Sequence, residues 1–265
     1  MIPARKRWGQ HFLIRPETAR RIVEASGVGP GDTAFEVGPG EGALARPLAE
    51  RAGRLLAVEI DPLRAEALER ELAGRENVRV FRGDVLEKRF ADWLAEAGWE
   101  PPAILVANLP YNIATHVLTR AIEEAGTFTR ILATVQKEVA RRFAAVSGSD
   151  DYGYLSVRTA AYARARVLFD LQPGAFRPPP KVTSSVLELV PREATFEPAA
   201  RDRALRLASL AFRFRRKTLV NALSSAADRS QVARALEDIG RGARARAEEL
   251  SLDDYLELAA RVEAA

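Results

Sequence analysis

The segment Asn108-Leu109-Pro110-Tyr111 carries the most specific chemistry in this sequence. An exocyclic aromatic amine such as adenine N6 is a weak nucleophile, because its lone pair is delocalised into the ring. Attack on an electrophilic methyl group becomes easier when two acceptors hold the amino hydrogens and leave the lone pair facing the methyl. The side-chain oxygen of Asn108 and the main-chain carbonyl of Leu109 supply such acceptors, while Pro110 fixes the turn and adds no competing amide hydrogen. Tyr111 then offers a ring on which a base stacks, an interaction commonly worth about 1–3 kcal/mol. A base held in folded RNA must first be extruded. Such a scheme needs no general base, since the nitrogen gains acidity as it attacks, and positioning and electrostatics carry the catalysis.

A methyl donor needs its own site, and the chain offers one upstream. Glu36-Val37-Gly38-Pro39-Gly40-Glu41-Gly42 ends one apolar run and leads into a helical pattern, so Gly38 and Gly40 sit where the backbone turns sharply against a ligand. The spacing is G-x-G-x-G, not the G-x-G-x-x-G of a dinucleotide pyrophosphate site, which favours S-adenosylmethionine over NAD. Glu59 closes the next apolar run about twenty residues beyond Gly38, where an acid accepts both ribose hydroxyls. Asp84, after the third run, is placed to accept from the cofactor's adenine amino group. Taken singly, each acid reads equally as a helix cap or a solvated turn. Together they fall at successive strand ends, where open α/β sheets bind ligands.

Further along, Phe176-Arg177-Pro178-Pro179-Pro180-Lys181-Val182 is stiffened by three prolines. A stiff loop here is expected to present Phe176 to the face of the target base opposite Tyr111, with Arg177 and Lys181 meeting phosphates. Basic residues also cluster at Arg5-Lys6-Arg7, at Arg141-Arg142 and in the helix-compatible segment Arg213-Phe214-Arg215-Arg216-Lys217. With a formal net charge of +4, these clusters point to a polyanion such as RNA, bound with salt-sensitive affinity.

The elements that position these residues read as two kinds. From about residue 17 to 190, apolar runs alternate with helical patterns, which predicts a sheet covered by helices on both faces. Strands are expected at 34–37, 55–60, 78–82, 104–108, 131–136, 167–171 and 186–190, and helices at 17–25, 42–51, 62–72, 90–96, 114–124, 138–146 and 154–164. After Pro191 only helical patterns remain, at 201–212, 218–226, 230–239 and 252–262, the last with Ser251 as an N-cap. The fold class is therefore α/β followed by a small all-helical domain, with boundaries of 1–191 and 192–265 and a linker at 191–197. The 265 residues contain no cysteine and only His11 and His116 as histidines, so thiol chemistry is excluded and no metal site is expected. No apolar run approaches the roughly 20 residues of a membrane span, and the basic start lacks an apolar core, so a cytoplasmic monomer without membrane contact is expected.

Gly9-Gln10-His11-Phe12-Leu13, Glu36 to Gly42, Glu59, Gly83-Asp84, Asn108 to Ile113, Phe176 to Val182 and Arg215-Arg216-Lys217-Thr218-Leu219 together resemble the KsgA-type family of rRNA adenine dimethyltransferases, in the family's order. The resemblance implies a Rossmann-like S-adenosylmethionine-dependent methyltransferase domain with a helical C-terminal domain. It also implies dimethylation at N6 of two adjacent adenosines near the 3′ end of small-subunit (16S) rRNA, in a 30S subunit or assembly intermediate. By the same resemblance, His11 and Leu13 join Gly38, Gly40, Glu59, Asp84 and Asn108 around the cofactor, although His11 stands where the family usually has Asn. Arg215, Arg216 and Lys217 are expected to dock rRNA phosphates. The alternatives are a large-subunit rRNA methylase of the antibiotic-resistance type and a non-catalytic ribosome assembly factor. His116 is expected to be a packing or surface residue.

Overall fold

A computed structural model describes residues 10–192 and 196–262. The Arg5-Lys6-Arg7 cluster, Gly9 and the centre of the expected linker lie outside the described residues. By internal contacts the chain forms two units, one of residues up to Ala140 together with Ala165–Pro191, the other of Arg141–Arg164 together with Arg192 onward. Among the described residues no helix is long and apolar enough to cross a membrane.

The first unit is built on a seven-stranded sheet. Its strands are β2 (Thr33–Val37), β3 (Arg54–Glu59), β4 (Val78–Arg82), β5 (Ala103–Asn108), β6 (Phe128–Gln136), β7 (Ala163–Leu171) and β9 (Ser184–Pro191), in the order β4-β3-β2-β5-β6-β9-β7. The pairs β3–β4, β2–β3, β2–β5 and β5–β6 are parallel, and β9 runs antiparallel to β6. This is a Rossmann-like sheet. β2 and β5 are buried along nearly their whole length, which explains why they read as continuous apolar runs without alternation. Helices α1 (Pro16–Ser26), α2 (Ala45–Arg51), α3 (Pro62–Glu71), α4 (Phe90–Glu96) and α5 (Ala114–Glu123) connect or flank these strands. Val23, Leu48, Leu55, Val106 and Leu132 are among the side chains of one buried cluster.

Two strands of two residues each were not expected. β1 (Phe12–Leu13) and β8 (Phe176–Arg177) form a separate antiparallel pair, with Phe12 opposite Arg177 and Leu13 opposite Phe176. They are too short to leave any periodicity in the sequence.

The second unit is helical. α7 (Tyr154–Tyr162), α8 (Pro198–Phe212), α9 (Leu219–Ala222), α10 (Arg229–Asp238) and α11 (Leu252–Arg261) enclose a second buried cluster around the fully buried Tyr255. Tyr255 donates its hydroxyl to the Ala247 carbonyl at 2.9 Å, and Tyr152 donates to Leu250 at 2.9 Å. Tyr152, Val157 and Ala161 bury their apolar surface in this cluster. The grouping thus sets 141–164, the second half of α6 (Lys137–Ala144) included, with the C-terminal helices and not with residues 1–140. Ser251 caps α11 as expected, accepting from Asp254 N at 3.2 Å. The basic segment Arg213–Lys217 is not helical. α8 stops at Phe212, and residues 213–216 follow as turns.

Candidate active site

At the carboxyl ends of β2, β3, β4 and β5 lies a cavity that opens to solvent at its mouth. It sits at the point where β2 has β3 on one side and β5 on the other, the topological switch of the sheet. Five stretches contribute to its lining: 10–13, 36–41 with 43–44, 58–60, 83–85, and 108–110 with 112–113. Gly38 and Gly40 form its glycine turn with φ of +66° and +58°. A Cβ on Gly40 would lie 2.8 Å from two ring carbons of Phe12, so this position requires glycine on two counts.

The acids around the turn differ in their surroundings. Glu59, the last residue of β3, is 2% exposed and accepts Gly40 N through Oε2 and Asp61 N through Oε1, both at 2.9 Å. Burial holds its carboxyl above the ordinary range, against a partial lowering by the two amides. Each oxygen keeps lone-pair capacity for a ligand hydroxyl. Asp84 lines the same cavity while its Oδ1 accepts Leu86 N at 2.9 Å, so it caps a short 3-10 turn and serves the cavity wall at once.

Glu36 is the residue to which sequence reasoning assigned no role. It lies inside β2 at 1% exposure, lines the cavity, and its Oε2 has no hydrogen-bond partner among the described residues. Burial, then the neighbouring Glu59, push its carboxyl well above the ordinary range, against a lowering by Arg46. The available signal was one acid within the otherwise apolar strand Thr33-Ala34-Phe35-Glu36-Val37. Arg64 is buried among Asp61 (3.7 Å) and Glu41 (3.5 Å), with its guanidinium 4.1 Å from the centre of the Phe12 ring.

Asn108 ends β5, and its Nδ2 donates to the His11 carbonyl at 2.8 Å. That bond sets which way the amide points and turns Oδ1 away from His11, as an acceptor. Leu109 N is tied to the Thr134 carbonyl at 3.2 Å, and the Pro110 carbonyl accepts Ile113 N and Ala114 N at 3.1 Å each, which starts α5 directly behind the turn. Tyr111 is half-buried. Its hydroxyl lies 2.6 Å from Ser184 Oγ, and its ring stacks on His11 with centroids 5.1 Å apart and planes at 28°. Burial raises its phenol above the usual value, against a smaller lowering by Ser184, so Tyr111 is a neutral platform.

Three expectations for the proline-rich segment need correction or placement. Phe176 does not stand on an open loop: pairing of β8 with Leu13 turns it into the core, where it is 2% exposed. Arg177 is paired with Glu41 at 3.6 Å instead of standing free for phosphate. Lys181 is exposed just after the prolines. Leu13 is buried and lines the cavity, as does His11, whose Nδ1 lies 2.7 Å from the Pro178 carbonyl. Arg215, Arg216 and Lys217 belong to the helical unit, on an exposed turn with Phe214, which is 46% exposed and carries Lys217 Nζ 5.0 Å from its ring centre. His116 is exposed on α5.

Comparison with known proteins gives consistent results. The family model described as ribosomal RNA adenine dimethylase matches residues 1–263. A "Ribosomal RNA small subunit methyltransferase A" of Rubrobacter xylanophilus is 43% identical over 258 residues, 97% of this chain and 95% of its own. A protein of the same name from Methylococcus capsulatus is 41% identical over 254 residues, 96% of each chain. Among solved structures, the 23S rRNA methyltransferase ErmE superposes with a TM-score of 0.73 at 30% identity, over 95% of this chain and 99% of its own. A dimethyladenosine transferase from Plasmodium falciparum gives a TM-score of 0.77 at 22% identity, over 94% and 96%, and bears on the fold alone.

Proposed function

The chain belongs to the ribosomal RNA adenine dimethylase family, and from that premise we propose that it transfers methyl groups from S-adenosylmethionine to N6 of two adjacent adenosines near the 3′ end of small-subunit (16S) rRNA, giving N6,N6-dimethyladenosine. The observation that carries this reading is the Asn108 turn, whose amide is oriented by the His11 carbonyl so that Oδ1 is presented as an acceptor.

The cavity fits the cofactor on chemical grounds. Among the described residues that line it are Glu36, Glu59 and Asp84 but no Lys or Arg, which suits a cationic nucleoside without phosphates and not a dinucleotide. S-adenosylmethionine supplies, when bound, a methyl group made electrophilic by its sulfonium. Glu59 accepts from the ribose hydroxyls, held rigid by the amides of Gly40 and Asp61. Asp84 accepts from the cofactor adenine, while Gly38 and Gly40 let the backbone approach closely and Leu13 forms part of the apolar wall. Asn108 Oδ1 and the Leu109 carbonyl accept the two hydrogens of the target amine, leaving its lone pair free to attack, and Tyr111 stacks on the extruded base. The proton is lost to solvent after attack, so no side chain needs to act as a base.

Lys181 and the turn bearing Arg215, Arg216 and Lys217 contact rRNA phosphates in this reading. The protein acts as a cytoplasmic monomer on a 30S subunit or assembly intermediate and contributes to small-subunit biogenesis. The small-subunit choice rests on relatives of that name at 41–43% identity, against 30% for the 23S enzyme. The test is incubation of purified protein with labelled S-adenosylmethionine and, in parallel, unmethylated small subunits, large-subunit rRNA and DNA, followed by nucleoside mass spectrometry. N6,N6-dimethyladenosine confined to the small subunit is expected. Label in large-subunit rRNA would favour the resistance-type reading, and no label anywhere would favour a binding factor.

A further inference from the structure

Phe212 and Phe214 stand two residues apart at the end of α8, yet only one of them serves the core. Phe212 packs against the buried cluster of the helical unit, edge to face with Tyr152 at 6.0 Å between ring centres. Phe214 joins no buried cluster among the described residues, and at 46% exposure it is the one aromatic among their exposed large apolar side chains. The main chain holds it there. Phe214 N donates to the Ala211 carbonyl at 3.1 Å, Lys217 N donates to the Phe214 carbonyl at 2.8 Å, and just beyond, Leu219 N donates to the Ala245 carbonyl at 2.8 Å. The ring is therefore displayed on a turn tied at both ends.

Its neighbours select the partner. Arg213, Arg215, Arg216 and Lys217 are all exposed, and none makes an ion pair among the described residues, unlike Arg177 and Arg241, which are matched by Glu41 and Asp254. Lys217 Nζ lies 5.0 Å from the ring centre. An apolar partner would leave these charges uncompensated. A nucleic-acid strand supplies both complements from one chain, phosphates for the cations and the π face of a base for the ring. We propose that Phe214 stacks on an unpaired base of the substrate RNA while the cations around it hold the flanking phosphates. This rests on the reading of the chain as an RNA-modifying enzyme, and adds to the helical unit a contact that charge alone does not provide. Bases in a duplex stay stacked on one another, so the contact favours a loop, a bulge or a strand end.

Stacking and phosphate contacts respond differently to salt. Removing a cation flattens the dependence of affinity on salt, whereas removing the ring weakens binding by the same factor at every salt concentration. The test uses the full chain with Phe214→Ala, Phe214→Leu and Phe214→Trp, and filter binding to deproteinised small-subunit rRNA over a salt series. Phe214→Ala is expected to bind about 5- to 150-fold more weakly with an unchanged slope. Phe214→Leu should lie nearer to Ala, and Phe214→Trp nearer to wild type. Tryptophan emission of Phe214→Trp, taken as the difference from wild type, is expected to be quenched by this RNA but not by inorganic polyphosphate, which carries charge without bases. Unchanged Tm and S-adenosylhomocysteine affinity in the three variants would separate the effect from a folding defect. Binding of Phe214→Ala within about twofold of wild type would overturn the proposal, as would equal quenching by polyphosphate. A loss confined to intact small subunits, with naked rRNA bound normally, would also overturn it by assigning the ring to a ribosomal protein. Methylation is scored separately: wild-type protein that binds rRNA through Phe214 yet methylates none would fail the functional reading and leave the stack standing.

Discussion

Replacing Gly40 by alanine tests the cofactor turn most directly. The residue sits at φ +58°, and a left-handed conformation costs a non-glycine residue about 1–2 kcal/mol. Its Cβ would meet Phe12 ring carbons at 2.8 Å, and Phe12 cannot simply retreat, because the Arg64 guanidinium lies 4.1 Å from its ring centre. Overpacking of this kind costs about 1–3 kcal/mol. The alanine also stiffens the unfolded chain, which returns about 0.4–1 kcal/mol. The balance is a destabilisation of about 3 kcal/mol, or a fall in Tm of roughly 6–12 °C at the usual sensitivity of a domain this size. Gly74→Ala is the control: its φ is +91°, yet nothing lies within 4 Å of the added carbon, so it reports backbone strain alone. Thermal denaturation of both variants, read by far-UV circular dichroism, should separate them by the Phe12 contact. Equal falls in Tm would refute the idea that Phe12 closes this turn.

Glu36→Gln should flatten the dependence of stability on pH. A carboxyl raised in the folded state binds more protons there than in the unfolded chain, so it withdraws stability as pH rises from its ordinary value of 4.5 towards the folded one. The variant should therefore gain on wild type across that window and beyond it in urea denaturation, while binding S-adenosylhomocysteine more weakly; parallel pH curves would contradict this. Asn108→Ala should keep its Tm and its RNA affinity but lose about 100- to 1,000-fold in kcat, as when a preorganised polar group is removed from a reacting centre; near-normal turnover would remove Asn108 from the mechanism. Neutralising Arg215, Arg216 and Lys217 together should lower the slope of log affinity against log salt by about 2–3 for RNA, with cofactor affinity unchanged; filter binding across a salt series would expose an unaltered slope.

Most of the sheet was legible because its strands are buried on both faces and appear as apolar runs, so those at 33–37, 54–59, 78–82 and 103–108 lie within a residue of their expected places. The glycine turn and the acids after β2, β3 and β4 were readable for a related reason: ligand-binding residues recur where strands end. Helix starts were less so. α2 begins at Ala45 and not Gly42, because Gly42 at φ +78° still belongs to the turn. Phe176 was misplaced because its surroundings are set by Leu13, far away in sequence, and a phenylalanine before three prolines reads locally as a loop residue. The two units divide at Pro191 and Arg192, but 141–164 bury their apolar face with the C-terminal helices, a choice of partner that periodicity does not record. Glu36 escaped notice because one acid in a buried strand gives no pattern, only an unpartnered oxygen once the fold exists.

The pairing of Phe12 with Arg177 also has a consequence in time. Residues 10–13 wall the cavity, and their strand partner is encoded roughly 165 residues later, so the wall is unsupported until that distance has been translated. At about 5–20 residues per second this takes roughly 8–33 s. A nascent chain therefore carries its glycine turn and Asn108 turn well before the His11 segment can be fastened beside them, and a competent cavity belongs only to a chain synthesised past residue 177.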